Sequence, residues 1–169
     1  MELLIFLTLM LAAPLLALVA WIGLVIDRKR RSVEVYYICN QNAGRSQLAA
    51  AYTARKYGSK VRVRSAGANP GTRVHPNVLE VLDADGLRGW TTTPAKIDYT
   101  SIDGGVPVLL CEDEEAFETL SRLAPNVEDW QDTPDPSGET VATVSDIYKG
   151  LQARIDELMR DLIGPESVR

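Results

Sequence analysis

Cysteine and histidine are scarce in this chain: two Cys, at 39 and 111, and one His, at 75. So few thiols exclude a disulfide-stapled scaffold, and three Cys and His together cannot close a four-ligand zinc site. A basic surplus is missing too. The 18 Lys and Arg face 23 Asp and Glu, a formal charge of -5, which argues against a general nucleic-acid binder. There is no internal repeat and no low-complexity tract. What remains is a chain of 169 residues, 46% hydrophobic and 24% charged, with room for one ordinary domain and a composition that can bury a core.

The apolar residues are unevenly spread. Leu3 to Ile26 contains no charged residue. As a helix this run of about 24 residues would span roughly 36 Å, enough to cross a ~30 Å hydrocarbon core. A cleaved signal peptide would want a basic start, a shorter run and a small-residue cleavage site. Here Met1-Glu2 precedes the run and Asp27-Arg28-Lys29-Arg30-Arg31 follows it. The expectation is an uncleaved anchor over 1–26 and a basic juxtamembrane linker over 27–32. By the positive-inside rule the linker, and everything after it, is cytoplasmic. Pro14 kinks such a span at a cost that lipid-embedded helices tolerate.

The remainder alternates strand and helix signals. Strands are expected at 33–39, 61–65, 106–111 and 127–130, and helices at 46–57, 77–85, 114–123 and 144–162. The last helix shows an apolar stripe of Ile147, Leu151, Ile155, Leu158 and Leu162. This order predicts an α/β domain over 33–163 with a parallel sheet, followed by a tail at 164–169.

One stretch carries chemistry. The first strand ends at Cys39, and Asn40-Gln41-Asn42-Ala43-Gly44-Arg45-Ser46 leads into a helix. A loop entering a helix points backbone N–H groups inward, a cradle for a tetrahedral oxyanion. The helix dipole and Arg45 favour a thiolate on Cys39. The Arg45 guanidinium can clamp two oxyanion oxygens. Asn42 and Gly44 tolerate the positive φ of a tight loop. Ser46 can donate a hydrogen bond to the sulfur. His75, before Pro76, reads as a surface or capping residue. Trp90 and Trp130 read as packing, and the acids at 112–115 as a solvated helix start.

The stretch Ile38-Cys-Asn-Gln-Asn-Ala-Gly-Arg-Ser-Gln-Leu-Ala-Ala-Ala51 resembles the active-site loop and helix of low-molecular-weight protein tyrosine phosphatases and their arsenate reductase relatives. Ser65-Ala-Gly67, Asp85-Gly-Leu87, Thr93-Pro94 and Asp135-Pro136-Ser-Gly138 extend the resemblance over about residues 33–163. Asn42 to Gln47 is closer to the reductase branch. The resemblance implies a four-stranded parallel sheet in order 2-1-3-4 with helices on both faces. It implies that Asp135 is the general acid, with Asp132 a nearby competitor, and that Ser65 braces Asn42. The N-terminal anchor is not part of the family pattern.

Two reactions share the first step, attack of Cys39 on a tetrahedral oxyanion stabilised by Arg45 and the loop amides. A phosphatase then hydrolyses the adduct with water. An arsenate reductase resolves it with a thiol. Family phosphatases place an aromatic pair after Asp-Pro; here Ser137-Gly138 follows, which favours reduction. Relatives with an internal relay carry two resolving cysteines. Cys111 matches the first, and Glu118 stands at the second. Resolution then falls to Cys111 as a possible resolving thiol or to an external thiol or redoxin. The acids at 112–115 should weaken Cys111 as a nucleophile. No bound cofactor and no metal are expected. A non-catalytic phosphate-binding module is a third reading, opposed by intact Cys39, Arg45 and Asp135.

Overall fold

The structure is a computed structural model that describes Leu18, Trp21, 33–102 and 104–165. The chain divides into two units, 1–32 and 33–169. The expected anchor and linker lie outside the described residues, save Leu18 and Trp21, both helical and exposed. Among the described residues, no helix is long and apolar enough to cross a membrane.

The second unit is built on four strands: β1 (Val33–Cys39), β2 (Val61–Gly67), β3 (Val106–Leu109) and β4 (Glu128–Asp129). All pair in parallel, in the order β2-β1-β3-β4. This is the expected sheet. β1 is central and Val35 to Cys39 are buried, as continuous apolar runs in parallel sheets require. β3 stops two residues short of the expected end. Leu110 still donates to Ile38 O at 2.7 Å, and Cys111 follows, 4% exposed, in the turn toward the next helix.

The helices are α1 (Arg45–Tyr57), α2 (Pro76–Ala84), α3 (Glu114–Leu123) and α4 (Val141–Ile163). Asp113 caps α3 by accepting from Ala116 N at 3.0 Å, and Thr140 caps α4 by accepting from Thr143 N at 3.2 Å. Both are side-chain oxygens satisfying orphan amides. The cap at Thr140 lengthens α4 beyond the expected start. Its buried stripe is Val144, Tyr148, Leu151, Ile155, Leu158 and Met159. Ile147 and Leu162 sit at the edge of that stripe, because Val144 and Tyr148 turn the apolar face slightly.

α4 packs against α1 and α2. A polar cluster fixes the α1 contact. Asp156 Oδ1 accepts from Tyr52 OH at 2.8 Å and Tyr57 OH at 2.7 Å, and Oδ2 accepts from Lys56 Nζ at 2.8 Å. Burial alone would raise the Asp156 carboxyl, but the hydrogen bonds from Lys56, Tyr57 and Tyr52 outweigh it and hold the group below its ordinary value.

Asp156→Ala should therefore lower stability by about 2 kcal/mol, since the buried Tyr57, the half-buried Tyr52 and Lys56 all lose their acceptor. The folded carboxyl titrates below its unfolded value of about 3.9. Its contribution is complete above about pH 5 and is lost as pH falls through the folded value. Urea midpoints of wild type and variant should differ equally at neutral and mildly acidic pH, and converge only below about pH 4.

Candidate active site

The site is at the carboxyl end of β1, where open α/β sheets bind ligands. Cys39 is the last residue of the strand and Arg45 the first of α1. Between them the backbone folds into a tight loop. Asn42 has φ 50°, a left-handed conformation that Asn tolerates better than most residues. Gly44 does not: its φ is -138°. The glycine there answers a spatial demand, because an added Cβ would lie 2.6 Å from Pro136 Cγ.

Every loop carbonyl has a partner outside the cradle. Cys39 O accepts from Ala68 N at 3.1 Å, Asn40 O from Asn69 N at 2.8 Å, Gln41 O from Gly71 N at 2.8 Å and Ala43 O from His75 N at 2.9 Å. Asn42 O accepts from Gln47 Nε2 at 3.0 Å. In a planar trans peptide the N–H points opposite to its C=O. The amides of residues 40–44 are thus turned away from these partners, toward the concave side. Asn40, Gln41, Asn42, Ala43 and Gly44, the residues expected to contact the oxyanion, thus line a concave cradle of amides.

Gly67, at the end of β2, makes this possible. It pairs with Cys39, and an added Cβ would meet Asn40 O at 2.6 Å and Asn42 N at 2.7 Å. Both are backbone atoms of the loop, so a side chain there would displace the cradle itself. The glycine of Ser65-Ala-Gly67 is a close-approach residue.

The expected Ser65–Asn42 brace is not formed. Asn42 Oδ1 accepts from Ala95 N at 3.0 Å, and Asn42 Nδ2 donates to Ser46 Oγ at 2.9 Å. Ser65 Oγ faces Thr92 Oγ1 at 3.5 Å. Ser65 sits opposite Tyr37 in the ladder, two residues before the strand end where the loop begins, and the 92–95 segment takes the bracing role. Gln47, 1% exposed, joins it. Its amide donates to Thr92 O at 3.1 Å and accepts from Thr92 N at 3.0 Å.

Ser46 Oγ lies 3.1 Å from Cys39 Sγ. Because Asn42 already donates to that oxygen, the Ser46 hydroxyl is free to donate to the sulfur. Arg45, only 11% exposed at its side chain, donates to Thr133 O at 3.2 Å and pairs with Asp135 Oδ2 at 3.1 Å. Asp135 Oδ1 accepts from Ser137 N at 3.0 Å, so the residue both closes a turn and faces Arg45. Asp132 is tied elsewhere: Arg154 donates to it at 2.6 Å and holds its carboxyl below the ordinary range. Of the two acids, Asp135 is the one that meets the cavity of Cys39.

That cavity is about 30 Å³, lined by Cys39, Asn40, Gln41, Gly44, Arg45, His75 and Asp135. A wider cavity of about 420 Å³ shares Asn40, Arg45 and Asp135 with it and adds Cys111, Glu112, Gln131 and Asp132 to Pro134. Cys39 and Cys111 are both free thiols. Burial pushes the Cys111 thiol up to about 11, helped by the charges of Cys39, Asp113 and Asp135 and opposed by Arg45. Burial, more than the acidic run, is what suppresses its thiolate. His75 occupies the N-cap position of α2, as expected, but its side chain makes no cap bond and instead lines the cavity. Trp130 is buried against Tyr37, as expected of packing, whereas Trp90 is 46% exposed. Among the described residues, no His, Cys, Asp and Glu group could hold a metal ion.

A cysteine at the floor of an amide cradle, a clamped arginine and a facing carboxyl define a cysteine-based oxyanion enzyme. The chain belongs to the low molecular weight phosphotyrosine protein phosphatase family, whose pattern matches residues 34–167. It is 27% identical over 129 residues to a provisionally named arsenate reductase of Halobacterium salinarum, covering 72% of this chain and 87% of that one. It is 25% identical over 132 residues to the glutaredoxin arsenate reductase of Synechocystis, covering 77% and 95%. The thioredoxin-dependent arsenate reductase of Corynebacterium glutamicum is similar in structure, with TM-score 0.63, 27% identity and 83% and 72% coverage. So is the YwlE arginine phosphatase of Geobacillus stearothermophilus, with TM-score 0.65, 19% identity and 77% and 92% coverage.

Gly67→Ala should abolish oxyanion binding while leaving the fold cooperative. Isothermal titration with inorganic phosphate, beside a thermal melt, checks this; retained binding would mean that the cradle is not pinned at this contact.

Proposed function

We propose that this protein is a thiol-dependent arsenate reductase, anchored through residues 1–26 with its catalytic domain in the cytoplasm. The observation that carries the reductase reading is the lining of the site. Neither cavity at the Cys39 loop has a Phe, Tyr or Trp side chain among its lining residues, so a phosphotyrosine ring finds no aromatic pair to clamp it. A small inorganic oxyanion needs none. The relatives named for glutaredoxin- and thioredoxin-dependent arsenate reduction support the same reading.

In the first step the Cys39 thiolate attacks arsenic, and an As–O bond breaks. The proton carried by Asp135 goes to that oxygen, which leaves as water. The cradle amides and Arg45 hold the charge on the remaining oxygens. In the second step a thiolate attacks Cys39 Sγ and an S–S bond forms. The S–As electron pair stays on arsenic, reducing it from As(V) to As(III), which departs as arsenite. A further thiol reduces the disulfide. With Cys111 held as a thiol near neutral pH, an external redoxin or small thiol is the favoured attacker.

Hydrolysis of a phosphate monoester through a phosphocysteine is the second reading. Cys39, Arg45 and Asp135 suffice for it, and the arginine phosphatase neighbour shares the fold. The non-catalytic module is the weakest reading, because nothing in the nucleophile, clamp and acid set has been lost.

Purified full chain should reduce arsenate with glutaredoxin or thioredoxin systems, and turn over aryl phosphate far more slowly. Absence of arsenite with every thiol donor, beside brisk aryl phosphate hydrolysis, would establish the phosphatase instead. Cys111→Ala should keep arsenate reduction, and Cys39 should be trapped as a mixed disulfide with the donor. Loss of reduction in that variant, with a Cys39–Cys111 disulfide in the wild type, would assign Cys111 as the resolving thiol.

The anchor is checked separately. The chain should stay with membranes after a high-salt wash, at its full length and protected from external protease. A shortened chain recovered outside would show a cleaved signal.

A further inference from the structure

His75 is the single histidine of the chain. Its position is set by the loop: its N–H donates to Ala43 O at 2.9 Å, one of the bonds that turn the cradle amides inward. Its ring stands over Gly44, with Cδ2 3.4 Å from where a Cβ on Gly44 would lie, and Pro136 flanks the same glycine. The imidazole makes no cap bond to α2. It has no hydrogen-bond partner among the described residues. It lines the small cavity beside Cys39, Arg45 and Asp135. The half-buried imidazole thus forms part of the wall of the cradle, beside Cys39, Arg45 and Asp135.

We propose that His75 contacts the bound oxyanion, its ring N–H donating to one of the oxygens, and that its protonated form strengthens binding of the dianion. The inference rests on the Cys39 loop being an oxyanion site, and not on which reaction follows. The charged and titratable groups facing the ring from the packed elements are Cys39 at the end of β1, Arg45 at the start of α1 and Asp135 in the loop before α4; α2 itself adds no other to this cavity. An anion seated in the cradle places negative charge beside the ring, which favours an imidazolium. The amides and Arg45 grip the anion at any pH, whereas His75 adds a contact that strengthens when it is protonated.

The test uses inorganic phosphate, which the protein does not consume. Because His75 is the only histidine, a single imidazole resonance in the NMR spectrum of the labelled full chain in detergent reports its titration. Saturating phosphate should raise its titration midpoint by about one pH unit. By linkage, His75→Asn should weaken phosphate binding about tenfold near pH 6 and much less near pH 8, with an unchanged melting temperature. A midpoint that does not move under saturating phosphate, or a variant that binds phosphate as the wild type does at both pH values, would overturn the proposal. Failure to bind phosphate at all overturns it together with the site. Arsenate that is reduced while the midpoint stays still removes only the role of His75. A shifted midpoint without arsenate reduction removes only the reductase reading.

Discussion

The site depends on one constraint: five successive loop carbonyls must each find a donor on the far side of the backbone. Four of the donors are amides of residues 68–75, the segment that leaves β2. That segment can lie close enough only because Gly67 has no side chain between it and Asn40 and Asn42. β2 is therefore more than an edge of the sheet. It supplies the hydrogen-bond template against which the loop is moulded. The peptide plane does the rest, since a carbonyl fixed outward fixes the next amide inward. Charge stabilisation at Cys39 is thus built into the backbone before any ligand arrives, which is what makes such cradles effective.

Around this template the side chains divide into rigid and movable sets. Asn42, Ser46 and Gln47 are almost fully buried and bonded to one another or to the 92–95 segment. They hold the loop and offer the sulfur one hydroxyl. Arg45 and Asp135 are joined in a contact that is exposed on the Asp135 side, 58% at its side chain. Cys111 belongs to neither set. It is buried beside the wider cavity and kept protonated by its surroundings. A resolving thiol has to be ionised to attack, and the environment that protects Cys111 also disarms it.

What could be read from the chain was what is contiguous in it. β1, the loop and α1 follow one another, so Cys39, Arg45 and the oxyanion chemistry were legible from spacing and local secondary structure. The sheet order was legible through the resemblance. The bracing was not. Gln47 bonds to Thr92 and Asn42 to Ala95 across some fifty residues of chain, and no periodicity marks either pair. The resemblance implies the brace for Ser65, but in this chain Asn42 is braced by Ala95 and Ser46, and Ser65 faces Thr92 instead. Gly67 lay in a recognised stretch, but its reason is a backbone distance that no sequence pattern expresses. His75 looked like a helix cap because Pro76 follows it. Only folding shows that its backbone is bonded on one side to the loop at Ala43 O and on the other to the helix at Leu79 N, which brings its ring to the cradle.

In the reaction proposed above, the ion pair between Arg45 and Asp135 would link binding to proton transfer. The guanidinium is shared between Thr133 O and Asp135. An exposed pair of this kind contributes little, on the order of 0–1 kcal/mol, and is easily exchanged. A dianion seated on the cradle offers Arg45 two oxygens in the planar geometry it prefers. Transfer of the guanidinium from carboxylate to anion then leaves Asp135 facing the oxyanion without its cation. Two oxygen groups so placed are joined most favourably through a shared proton, and that proton is already on the path to the departing oxygen. In the proposed reaction Arg45 would therefore have two consecutive tasks: to hold the acid loop near the cradle, and to give up the carboxyl to its chemical partner when the substrate arrives.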